Sequence, residues 1–146
     1  MGNFDFVGAA LPVVHDDCVK AESYLSTDPR SACFYSRRAI ERLVKHLFDV
    51  LSLKAPYKKD LNAHIHDAAF KAVTGPTITK KLNLIRLAGN AAVHETRSVR
   101  PEVATAVLRE LHHVLIWAAF HHSPNPQAVP VEAAFDPELT GKAPAL

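Results

Sequence analysis

Long uninterrupted apolar runs are missing from this chain. Arg, Lys or His breaks every apolar stretch before it reaches the length of a membrane span, so no membrane association is expected. The start carries Asp5 and no basic region ahead of an apolar stretch, so no secretory signal is expected. Cysteine is scarce: only Cys18 and Cys33 occur, without C-x-x-C spacing, and they read as buried free thiols in a reducing cytoplasm. Net charge is small, and +2 is too little to argue for nucleic acid by itself. Glycine is rare, and the one glycine before a Pro-Thr pair, Gly75, lacks the Lys-Ser/Thr ending of a phosphate loop. No serine elbow and no paired-carboxylate signature is present. His64-x-His66, His112-His113 and His121-His122 are not joined by Cys or carboxylate at a zinc-like spacing. The expectation is therefore no metal, no cofactor and no small-molecule ligand.

What remains is an ordinary globular composition, 48% apolar and 22% charged, on 146 residues, enough for one domain with a real core. No strand-like alternation is long enough to defend. A first helix is expected from about Ala9 to Leu25, with Pro12 in its first turn. Asp28-Pro29 caps and opens a second, whose apolar face runs through Ala32, Tyr35, Ala39, Leu43, Leu47 and Leu51 to about Leu53. Ala55-Pro56-Tyr57 breaks it. A weaker helix spans Leu61 to Val73, and Thr74-Gly75-Pro76 stops it. Thr77 can cap the next helix. Pro101 opens a last one through Val103, Val107, Leu111, Val114, Leu115 and Ala118 to about His122. Short connections between such helices predict an all-α antiparallel bundle of four to five helices. After Ser123 the chain turns irregular and Pro-rich, with Pro124, Pro126, Pro130, Pro137 and Pro144. The division is thus a bundle over 1–123 and a tail over 124–146 toward further modules, with Phe135-Asp136-Pro137 as an anchor able to dock back.

The most informative stretch runs from Leu84 to Glu95. In it Arg86, Asn90 and His94 stand four residues apart, so a guanidinium, an amide and an imidazole line one edge of an otherwise apolar helix. Burying them needs partners. One reading is a structural polar seam in which Arg38 and Glu41 of the second helix meet Arg86, Asn90 and His94, while Gly89 lets the two helices approach. The second helix also carries Arg37, Arg42 and Lys45, with Arg37–Glu41 and Glu41–Lys45 as i,i+4 pairs of a solvated face. Together with Lys80 and Lys81, the residues Arg37, Arg38, Arg42 and Lys45 are the candidates for phosphate contact, which would make binding steeply salt-dependent. Trp117 and Phe120 lie on a different side of the last helix from Leu111 and Leu115. A helix apolar on two faces is central or at an interface, so a homodimer is expected.

The layout resembles a HEPN domain, a small helical bundle of prokaryotic defence proteins. More narrowly, it resembles the HEPN-like N-terminal domain of type I restriction enzyme R subunits, which are helicase–nucleases. Asn3-Phe4-Asp5-Phe6, Asp28-Pro29-Arg30, Tyr35-Ser36-Arg37-Arg38-Ala39-Ile40-Glu41 and the Leu84–His94 stretch carry the likeness. Val99-Arg100-Pro101-Glu102 and Phe135-Asp136-Pro137 extend it over nearly the whole chain. The resemblance implies a cytoplasmic accessory domain that docks, dimerises or binds nucleic acid. Its implied partners are a second copy or other restriction-modification subunits, with DNA or RNA as a further class. It also implies an alternative. Active HEPN ribonucleases carry Arg, then a polar residue such as Asn, three variable positions and His; two protomers join the copies and cut RNA without metal. Here Asn90 and His94 fit the last elements, Gly89 stands at the Arg position, and Arg86 lies one turn earlier. Arg86, Asn90 and His94 are the catalytic candidates of that alternative.

Overall fold

The computed structural model describes residues 2–94 and 98–139. Glu95, at the end of the polar stretch, and Pro144, in the tail, lie outside the described residues. Among the described residues the chain is all helical: α1 (Val7–Ala10), α2 (Pro12–Tyr24), α3 (Pro29–Val50), α4 (Leu61–Ile65), α5 (Ala68–His94) and α6 (Pro101–His122). Two 3₁₀ turns, Pro126–Ala128 and Pro137–Leu139, shape the tail.

The helix count exceeds the expected four to five because the first expected helix is split, while the third is divided between α4 and the start of α5. Pro12 disfavours the helical conformation at the residue before it, and Leu11 accordingly sits at φ −141°, ψ 66°. The expected helix over Ala9–Leu25 is therefore a single turn, α1, followed by α2. Farther on, Asp60 accepts from the Ala63 amide at 2.7 Å and Asp67 from the Phe70 amide at 3.1 Å. Each aspartate caps its own start, so the expected helix over Leu61–Val73 becomes α4 and the first half of α5. Gly75 does interrupt the helix, with φ 76° and ψ 171°, and Pro76 starts the second half. That positive φ suits glycine and no β-branched residue. Thr77 is not the cap, since the helix has already resumed at Pro76; instead the Thr79 hydroxyl donates to the Gly75 carbonyl at 2.8 Å.

Asp28 caps α3 as its sequence position predicts. Its carboxylate accepts from the Ser31 hydroxyl at 2.6 Å and the Ser31 amide at 3.2 Å, and these bonds hold its pKa below the usual range. α3 stops at Val50 rather than Leu53, because Ser52 takes φ 53° and the Leu53 amide closes on the Phe48 carbonyl.

α3 is the central element: it packs against α2, α5 and α6. Ala39, Ile40, Leu43 and Leu47 of α3 and Leu108, Leu111 and Leu115 of α6 are fully buried. Tyr35 is half-buried and stacks on Tyr24 of α2, with ring centroids 5.7 Å apart. Val103, expected on the apolar face, is 42% exposed in the first turn of α6. By length and composition α6 does reach the apolarity of a membrane span, contrary to the reading of interrupted runs. Half of that window is buried inside the bundle, where it forms core.

The tail returns to the bundle. Val129 and Phe135 are buried, and the Phe135 ring lies 6.3 Å from Phe4 and 6.0 Å from His112. Asn3 clasps the backbone of Asp136 from both sides: its Oδ1 accepts from the Asp136 amide at 2.7 Å, and its Nδ2 donates to the Asp136 carbonyl at 3.0 Å.

Candidate functional site

The polar row of α5 does not converge on one point. Arg86 donates from Nε and Nη2 to Asn83 Oδ1, at 3.1 and 2.9 Å, on its own helix. Asn90 faces α3, where its Oδ1 accepts from Arg37 Nε at 2.9 Å. Arg37 Nη1 reaches Glu41 Oε2 at 2.9 Å, so the chain Asn90–Arg37–Glu41 is one half-buried network. His94, the last residue of α5, is exposed.

The seam across α3 and α5 therefore exists with a different membership from the expected one. Glu41 and Asn90 belong to it. Arg37 is its centre, in place of Arg38, while Arg86 and His94 lie apart. Arg38 turns the other way, toward Asp17 of α2, at 3.6 Å, and Arg42 shares the same carboxylate at 3.3 Å. The physical reason is helical spacing. Arg37 and Glu41 share one edge of α3, Arg38 and Arg42 another, and each edge meets a different neighbouring helix.

Gly89 decides how close α5 comes to α3. It is buried, and a Cβ built on it lies 2.3 Å from Arg37 Cβ and 2.7 Å from Arg37 Cδ. Any side chain there would displace the stem of Arg37. One turn farther along, Arg30 donates to the Ala92 carbonyl and ties the end of α5 to the start of α3.

The six candidate phosphate contacts are not a single free patch. Arg37 serves the seam, Arg38 and Arg42 flank Asp17, and Lys81 pairs with Glu110 of α6. Lys45 and Lys80 are exposed. Asp17 itself is buried, and its Oδ2 has no hydrogen-bond partner beyond that charge pairing.

Neither thiol is built for nucleophilic chemistry. Both are free and buried. Burial pushes Cys33 up to about 11, and burial followed by the nearby Asp17 and Glu22 charges pushes Cys18 well above its ordinary value. Among the described residues no group of three or more His, Cys, Asp or Glu side chains is placed to hold a metal ion. His64 and His66 each bond the carbonyl four residues earlier, Asp60 at 2.9 Å and Asn62 at 3.0 Å, and so do not share a ligand position.

Sequence reasoning passed over two features of this region. Arg30 stands out in the sequence only as part of a motif, and its reach to α5 leaves no local signal. His64 stands out as half of a His-x-His pair, although its neighbours Leu61 and Ile65, both buried, place it on the inward face of α4.

Trp117 is partly buried against its own core and lies 5.1 Å, ring to ring, from His122, whereas Phe120 is 43% exposed. No curated protein and no solved structure matches the chain. Residues 19–134 match the domain of unknown function DUF4145, from the middle of α2 to the foot of the Phe135 anchor, and the chain belongs to that family.

Proposed function

We propose that this chain is a non-catalytic accessory module, HEPN-like in architecture, of the kind that stands at the N-terminus of type I restriction R subunits and related defence helicases. The observation that carries this reading is the packing of Arg37 on Gly89. Where an active HEPN pattern needs an arginine, this chain has a glycine roofed by another residue's stem. Asn90, the next element of that pattern, is engaged with Arg37. A guanidinium is what such chemistry uses to stabilise a phosphoryl oxyanion, and Arg86 is turned to Asn83 instead.

Docking has material support on the outer side of α5 and α6. Leu84 and Leu87 are 45% and 51% exposed, and Val103 is 42% exposed. Apolar area of this kind marks interaction surfaces. The partner is a second copy of the chain or another restriction-modification subunit, and the setting is the cytoplasm, where free thiols persist. Exposed Lys45 and Lys80 are the candidate cations left for a DNA or RNA contact.

The test is RNA cleavage by the purified chain in EDTA. The expected result is intact RNA for the native chain and for His94→Ala alike. Robust cleavage that disappears in His94→Ala would transfer the assignment to a metal-independent HEPN ribonuclease. Sedimentation velocity of native chain and Leu87→Glu tests the docking surface: a dimer is expected for the first and a monomer for the second.

A further inference from the structure

Beside the seam, α3 and α4 enclose a cleft of about 270 Å³. Its polar lining is Arg37, Glu41 and Lys45 from α3, with Lys59, Asp60 and His64 from the loop before α4 and from α4 itself. The carboxylates are engaged elsewhere: Glu41 binds Arg37 at 2.9 Å, and Asp60 caps α4 through the Ala63 amide at 2.7 Å. The ammonium groups are not neutralised in this way. Lys45 is exposed, and Lys59 makes only a 3.4 Å bond to the Pro56 carbonyl. With Arg37, Lys45 and Lys59 set against Glu41 and Asp60, the charged lining keeps one positive charge in excess.

Its inner wall holds His64, only 7% exposed. Asp60 is hydrogen-bonded to Nδ1 through its carbonyl at 2.9 Å, and a carbonyl only accepts, so Nδ1 carries a proton. The Phe48 ring packs edge-on at 4.9 Å and fixes the imidazole plane. His64 lines the cleft, and its Nε2 has no protein partner and, with the proton on Nδ1, is an acceptor. A lone pair held at a nearly buried ring is completed by a donor from a ligand or from water.

We propose that this cleft binds a phosphate group that still carries a P–OH, with Lys45 and Lys59 donating to its oxygens at the mouth and the P–OH donating to His64 Nε2 inside. The volume is at the small end for ligand sites and suits a phosphoryl group with its waters rather than a whole cofactor. Two sources share that chemistry: free phosphate and the terminal phosphate of a nucleic-acid strand. The inference stands apart from the docking role, because it concerns α3 and α4 rather than the outer faces of α5 and α6.

The test is NMR of the His64 ring in the full chain, at constant ionic strength, with inorganic phosphate as one probe. A single-stranded oligonucleotide with a 5′-phosphate is the second, and the same strand with a 5′-hydroxyl the third. Saturable movement of the His64 ring signals is expected with the phosphate-bearing probes, with the apparent Kd raised about tenfold or more in Lys45→Glu/Lys59→Glu. Both lysines are exposed, so the variant keeps its fold. Response to inorganic phosphate alone assigns the free anion. Response to the 5′-phosphate strand at lower concentration, without response to the 5′-hydroxyl strand, assigns a strand end. Silent His64 signals with every probe, or equal movement in the double variant, would overturn the proposal.

Discussion

Two polar joints hold this molecule together, and they differ in how they are built. At the first, α5 meets α3 through Gly89 and the Asn90–Arg37–Glu41 chain, part-exposed and made of side chains whose spacing is written along two helices. At the second, Asn3 grips the backbone of Asp136 across 133 positions, while its own amide donates to Glu22 at 3.0 Å. Phe4, Phe6, His112 and Phe135 close over it. The first joint lies where the motif pointed; the second is the return of the Phe135-Asp136-Pro137 anchor from an otherwise linker-like tail. The difference teaches that a motif-bearing seam can be a packing device, while an irregular Pro-rich segment can be part of the core.

The sharpest way to break the comparison is at the second joint. Phe135→Ala removes a ring that is 7% exposed and touches both Phe4 and His112. Core Phe→Ala changes cost about 3–5 kcal/mol, and a loss of about 3 kcal/mol is expected in urea unfolding. A loss under about 1 kcal/mol would return the tail to the status of a linker.

At the first joint, Gly89→Ala sets helix propensity against collision. Alanine gains about 1 kcal/mol in a helix interior, but its Cβ would lie 2.3 Å from Arg37 Cβ. Overpacking of that kind costs about 1–3 kcal/mol, so a net loss of about 0–2 kcal/mol is expected. In an Arg37→Gly background the same change should become neutral or favourable, a coupling measurable by a double-mutant cycle. A stabilising Gly89→Ala in the native chain would mean the helices do not meet as described. Asn90→Ala leaves Arg37 Nε without its acceptor; at a part-exposed site about 1 kcal/mol is expected, at the low end for an orphaned group.

Much of the fold was legible because its causes are local. Asp28 before Pro29, the i,i+4 apolar face of α3 and the break at Gly75 depend on neighbours within a turn or two. Two splits were local as well and were missed. Leu11 before Pro12 and the capping aspartates Asp60 and Asp67 are signals that a coarse reading of periodicity overrides. The membership of the seam was not legible. Choosing Arg37 over Arg38 needs the rotation of α3 relative to α5, which differs by one residue's turn and is fixed by packing. Gly89 was legible as a close-approach position, since a glycine inside an apolar helix has few other uses. The Asn3–Asp136 clasp and the His64 cleft depend on which chain ends and loops meet in space, and no spacing in the sequence carries that.

The smallest expected effect concerns pH at the second joint. Burial, with a lesser push from the neighbouring His113 charge, holds His112 below its ordinary 6.5. As pH falls past that value the unfolded chain takes the proton first, so stability is full above it and is lost as pH falls through the lower folded value. His122 acts in the same direction for the same leading cause, burial. Glu22 acts oppositely. Burial raises its carboxyl above 4.5, so its contribution is present below that value and fades as pH rises through the raised one. The two ends of the window therefore partly offset, which keeps the net slope shallow. Thermal midpoints measured from about pH 7.5 to about pH 5.5 should fall on the acid side. In His112→Phe, where a ring fills the same cluster without titrating, that fall should shrink to what His122 leaves. Because the readout is the slope with pH, a change in absolute stability from repacking does not confuse it. Identical slopes in the two proteins would mean that His112 is not the group through which the clasp senses acid.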